Sequence, residues 1–174
     1  YLYFPIHNVI FIPNSNNNHP NTISVWFGPW GKGGDNMRLI EHKKGYLYGA
    51  ANREGESYTD WRAPYIDRSG LLMIYESNSR PGKFVFVFFT APASGFAGHY
   101  LKTSPGDLET EDDGIIKLTT GNSIYRFGQD DSCIHGEEMK LLLWDIYEEF
   151  GPSNSIRQVM EKELSLDAGH ESEA

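Results

Sequence analysis

The sequence predicts an α+β domain: a predominantly antiparallel β-sheet, curled into a half-barrel or doubled into a sandwich, with two C-terminal helices packed on it. Three observations carry this. Segments rich in β-branched and aromatic residues, each closed by turn formers, recur as far as Phe127. The stretch Lys83–Thr90 is apolar on both of its alternating faces. At Glu137 the apolar period lengthens from two residues to three and four.

The strand segments, in chain order, are Val9–Ile12, Thr22–Phe27, Met37–Glu41, Gly45–Ala50, Leu71–Glu76, Lys83–Thr90, His99–Thr103, Gly114–Thr119 and Ser123–Phe127. Two pairs are expected to form hairpins. His42-Lys43-Lys44-Gly45 would turn the chain between the Met37 and Gly45 segments, and Thr120-Gly121-Asn122 between the Gly114 and Ser123 segments. Phe84, Phe86 and Phe88 interleave with Val85 and Val87, so this strand must be central and covered on both sides.

Met139, Leu142, Leu143, Ile146, Tyr147 and Phe150 form the apolar stripe of an amphipathic helix from Glu137, which Gly151-Pro152 ends. A second helix is expected over 154–164, capped by Ser153 or Asn154 and presenting Ile156, Val159, Met160 and Leu164. Residues 1–165 then make one domain, and 166–174 read as a disordered acidic tail with little to bury. The polar Asn14–Asn21 segment and the Gly-rich 28–34 and 49–55 stretches read as surface loops.

Charge is segregated along the 174 residues. Up to Tyr100 there are nine Lys/Arg against seven Asp/Glu, and from Leu101 onward six against seventeen, so the whole net charge of −9 comes from the second part. Such a surface repels nucleic-acid phosphate and anionic lipid and attracts basic proteins. The expected partner is therefore a basic protein, neither nucleic acid nor membrane. The longest apolar run, Phe84–Phe89, is far too short to cross a bilayer. The lone Cys133 and the lack of any Asn-x-Ser/Thr acceptor point to a reducing, cytoplasmic setting.

No stretch spells out a reaction, and no cofactor is implied. Gly28-Pro29-Trp30-Gly31-Lys32-Gly33-Gly34 fails as a phosphate-binding loop, because Trp26 and Gly33 stand where that loop needs Gly and Ser or Thr. A mobile turn is the plainer reading of this stretch, with an exposed contact patch of Trp26, Trp30 and Lys32 as the functional alternative. Asp107, Glu109, Glu111, Asp112 and Asp113 form the densest carboxylate cluster, read as a loop with the hard oxygens a divalent cation wants but without EF-hand spacing. A solvated acidic loop is the plainer reading.

Cys133 lies two residues from His135 at a helix entrance, which is where thiols become nucleophilic. Its neighbours Asp130, Asp131, Glu137 and Glu138 push the other way, and a small buried Cys beside a capping Asp131 or Ser132 is favoured. Trp61 and Tyr65, set among Asp60, Arg62, Asp67 and Arg68, can anchor a partner or line a glycan groove, or can fold back over a sheet edge. Three function classes follow. The first is a non-enzymatic interaction domain of inhibitor, immunity or assembly type, binding a basic partner through Glu138, Asp145 and Glu148 on the first helix together with Trp61 and Tyr65. The others are a metal- or Cys-dependent hydrolase and a small-ligand or glycan-binding β-domain.

Overall fold

The computed structural model describes residues 37–96, 99–151 and 153–171. The predicted strands Val9–Ile12 and Thr22–Phe27 and the 28–34 patch lie outside the described residues. Seven strands, β1 (Met37–Asn52), β2 (Ser69–Ser77), β3 (Phe84–Thr90), β4 (Tyr100–Lys102), β5 (Asp107–Thr110), β6 (Ile116–Thr119) and β7 (Ser123–Gln129), form one antiparallel sheet in the order β4-β3-β2-β1-β7-β6-β5. Helices α1 (Gly136–Phe150) and α2 (Asn154–Glu171) follow. The fold is α+β, as the sequence predicts.

The sheet curls until its two edges meet. β4 and β5 are successive in the chain, and the residues between them keep pairing: the Thr103 amide donates to the Phe86 carbonyl at 3.0 Å, and Phe84 and Gly106 exchange two hydrogen bonds of 2.8 Å. One bent stretch thus pairs β3 with its first half and β6 with its second. Around this circuit the strands return to β1 displaced along it. Met37–Tyr46 pair with β2 and Gly45–Asn52 with β7, which is the stagger a tilted barrel requires.

That double duty explains why β1 is 16 residues long and corrects the expected hairpin at His42-Lys43-Lys44-Gly45. Gly45 serves close approach rather than a turn, since a Cβ there would lie 2.0 Å from the Gly128 carbonyl oxygen. Register shifts at Leu39/Glu41 and Leu47/Gly49 bend β1 from one partner to the other. The second expected hairpin, β6–β7, forms as predicted around Thr120-Gly121-Asn122.

Two cores result, one on each face of the sheet. Inside the barrel Leu47, Leu72, Ile74, Phe86, Phe88, Leu118 and Phe127 are buried together, with the Phe88 and Phe127 rings 6.0 Å apart. Outside, Leu71, Met73, Val85, Val87 and Phe89 meet Met139, Leu142, Leu143 and Ile146 of α1 and Ile156 and Val159 of α2. β3 is interior and covered on both faces. At about 25 cal/mol per Å² of apolar surface, each large side chain shared between these layers contributes roughly 1.5–3 kcal/mol.

Gly151 ends α1 with φ 78°, its amide donating to the Tyr147 carbonyl at 2.8 Å. Ser153 caps α2, its hydroxyl accepting from the Ile156 amide at 3.2 Å. The helical backbone of α2 runs to Glu171, into the segment read as an unordered tail. No helix among the described residues is long and apolar enough to cross a membrane.

Candidate functional site

The carboxylates from Asp107 to Asp113 do not converge. Asp107–Thr110 is strand β5 rather than loop, and its carboxylates alternate outward along it. Asp107 pairs with Lys83 at 2.6 Å, Glu109 with Lys117 directly across the ladder at 2.5 Å, and Glu111 with Arg126 at 2.9 Å. Asp112 is exposed, and Asp113 Oδ1 accepts the Ile115 amide at 3.2 Å. No group of three metal-ligating side chains comes together among the described residues. The period-two rhythm of Asp107-Leu108-Glu109-Thr110, with Leu108 packed against the inner core, is the signal that marks this stretch as a strand.

Cys133 is half-buried just before α1. Its thiol lies 3.7 Å from the Gly45 carbonyl oxygen, and burial together with the Asp130 carboxylate pushes its pKa up to about 11. Neither Asp131 nor Ser132 caps α1, which enters through His135 without a side-chain cap. Instead Asp130 accepts the Ser132 amide at 3.0 Å and the Ser132 hydroxyl at 2.6 Å, tying the turn before the helix.

The aromatic pair separates. Tyr65 is 3% exposed, and its hydroxyl donates to the Tyr100 carbonyl at 2.7 Å, so its side chain packs in the core. Burial raises its pKa well above the usual phenol value. Trp61 stands 52% exposed on the loop above it, edge-on to Tyr65.

The three helix carboxylates separate too. Glu138 is drawn into the fold, where its Oε2 accepts the Ala93 amide at 2.6 Å and holds the helical turn Pro92–Ser94 against α1. Asp145 and Glu148 stay on the outer face, one turn apart, with Glu149 beside them. Partial burial and the neighbouring Glu148 raise the Asp145 pKa. None of these three carboxylates has an ion-pair partner among the described residues, and no basic residue occupies the last turn of α1. Negative charge at a helix C-terminus opposes the macrodipole, and like charges one turn apart repel.

Between these carboxylates lie two apolar side chains absent from the predicted site. Leu141 is 59% exposed and Trp144 49%, the latter edge-on to Tyr147 with ring centroids 5.5 Å apart. Both fall off the stripe that packs on the sheet, and that misplacement is legible in the helical spacing. Comparison with known proteins finds no matching family model, no similar curated protein and no similar solved structure. The outer face of α1 therefore has to be read by its own chemistry. It presents an apolar ridge, Leu141 and Trp144, flanked toward the C-terminus by negative charge that no cation among the described residues compensates.

Proposed function

We propose that the protein is a non-enzymatic docking domain whose outer α1 face receives a basic, amphipathic segment of a partner protein. The observation that carries this is that Asp145, Glu148 and Glu149, without an ion-pair partner among the described residues, stand beside the exposed Trp144 and Leu141. Several other carboxylates of the acidic half are put to internal use, in β5, in the Glu138 contact and in a His42–Glu163 pair. Asp145, Glu148 and Glu149 have no such use among the described residues, and the position of Glu148 and Glu149 in the last turn costs helix stability. A partner's Lys or Arg offsets that cost, while its apolar residues cover the Trp144 ring, the kind of side chain that anchors interfaces.

The hydrolase reading lacks comparable support, because Asp107, Glu109 and Glu111 are spent on cations and its thiol is held protonated. The test is partner capture at low and high salt with wild type, Trp144→Ala and the Asp145→Lys/Glu148→Lys pair. The expected result is a protein with a basic segment that is retained by wild type, cross-links to α1, elutes with salt and is lost by both variants. Equal retention by wild type and variants would remove the proposal.

A further inference from the structure

We infer that the mouth of the barrel is a second binding site, for a small anionic sugar. A cleft of about 350 Å³ opens where the loop after β1, the β2–β3 turn, the joint between β4 and β5 and the β6–β7 turn converge. None of its walls belongs to α1. Its volume lies in the range of small-molecule sites.

The wall chemistry is opposite to that of the chain as a whole. Arg62, Arg80 and Lys102 all line the cleft and no carboxylate among the described residues does, in a protein of net charge −9. Between them stand hydroxyl and amide groups, Ser104 and Asn122 among them, and Trp61 rises half exposed beside the opening. Each matches one part of a charged sugar. Guanidinium groups grip a phosphate, sulfate or carboxylate through two parallel hydrogen bonds. Hydroxyl and amide side chains exchange hydrogen bonds with ring hydroxyls, and an indole face covers the apolar face of the ring.

The walls are held in place by bonds that no ligand need make. Asp60 fixes the Arg62 guanidinium through two atoms, at 2.7 and 3.2 Å, and holds its pKa above the ordinary value, while the Tyr58 ring lies 3.5 Å beneath it. The Tyr58 hydroxyl bonds Ser123 at 2.6 Å and Arg53 donates to the Thr120 carbonyl at 3.0 Å, so the β6–β7 turn is anchored from the opposite loop. Arg80 is exposed with no ion-pair partner among the described residues, which makes it the group that meets the anion. Arg62, already paired, orients the sugar.

The experiment is a titration of the whole chain, followed by amide chemical shifts, with glucose 6-phosphate, glucuronate, a sulfated glucosamine, neutral glucose and inorganic phosphate. We expect at least one charged sugar to shift Trp61, Arg80, Lys102 and Asn122, and to bind about tenfold or more tighter than both glucose and phosphate. Arg80→Ala and Trp61→Ala should each lower that affinity by about tenfold with an unchanged melting temperature, since both side chains are exposed. No shift with any charged sugar, equal binding of free phosphate, or full affinity in Arg80→Ala would each overturn the inference. Loss of docking at α1 would leave it standing.

Discussion

Burial decides most of what single residues do here. Phe86 is 1% exposed inside the barrel, so Phe86→Ala removes a ring that the curled sheet cannot close over and should cost about 3–5 kcal/mol of unfolding free energy, measured by denaturant titration. Cys133 is governed by the same variable. With its pKa pushed up to about 11, the thiol is protonated at neutral pH, and alkylation by iodoacetamide should be slow until the solution is strongly alkaline. Rapid modification near neutrality would show that burial and Asp130 do not control it. The sequence already placed Phe86 in a two-faced strand and set carboxylates around Cys133. It did not separate Tyr65 from Trp61, because the two rings stand four residues apart in a loop that passes into the short helical turn Ala63–Tyr65, too short for any period that tells an inward ring from an outward one.

Among the elements, the helices were legible because period and stop signals agreed: the α1 stripe, the Gly151 terminus and the Ser153 cap all lie where their residue types belong. β1 and β5 were not. A Lys-Lys-Gly triplet within an apolar pattern reads as a turn unless one knows that Gly45 must let the Gly128 carbonyl approach, and five clustered acids read as a loop unless the cationic partners of three of them, Lys83 before β3, Lys117 on β6 and Arg126 on β7, are in view. α2 is tied to β1 by Glu163, which bonds His42 at 2.8 Å and lies 3.8 Å from Lys44. The His42 hydrogen bond and nearby positive charge hold the Glu163 carboxyl below its usual pKa despite burial. A depressed carboxylate stabilises the fold above its unfolded pKa of about 4.3, and that contribution is lost as pH falls through the lower folded value. Glu163→Gln should therefore destabilise at pH 7 by about 1.5–3 kcal/mol, with the difference from wild type shrinking under acid. A gap constant down to strongly acidic pH would assign the loss to packing. α1 calls for the reverse sign. Glu148→Lys relieves a helix end without cations and should raise stability by about 0.3–1 kcal/mol while weakening partner capture, a trade of stability for function that a merely solubilising charge would not show.

At the scale of the whole molecule, closure is the property no local pattern revealed, since it depends on one stretch of chain pairing with two strands that are not neighbours in sequence. The geometry concentrates that requirement at Gly106. There the chain leaves β3 for β6, and a Cβ would stand 2.3 Å from the Thr119 carbonyl oxygen, with Phe84 held on the other side by two hydrogen bonds. Backbone flanks the residue on both sides, so a methyl group can be accommodated only by pushing β6 away or by releasing Phe84. Gly106→Ala should cost about 1–3 kcal/mol, and hydrogen exchange should accelerate in β5 and β6 ahead of β2. Gly121, in the β6–β7 turn, supplies the control, because a Cβ there meets nothing within 4 Å. Gly121→Ala should be neutral or stabilising through the lost freedom of the unfolded chain. The same opening would reach the cleft, whose wall includes Ser104 and Pro105 immediately before the joint. Gly106→Ala should therefore also weaken binding of a charged sugar, whereas α1, packed on the far side of β3, should keep its docking. Equal stability and exchange in the Gly106 and Gly121 variants would mean that the two edges of the sheet are not coupled, and the molecule would then be an open sheet with helices on one face.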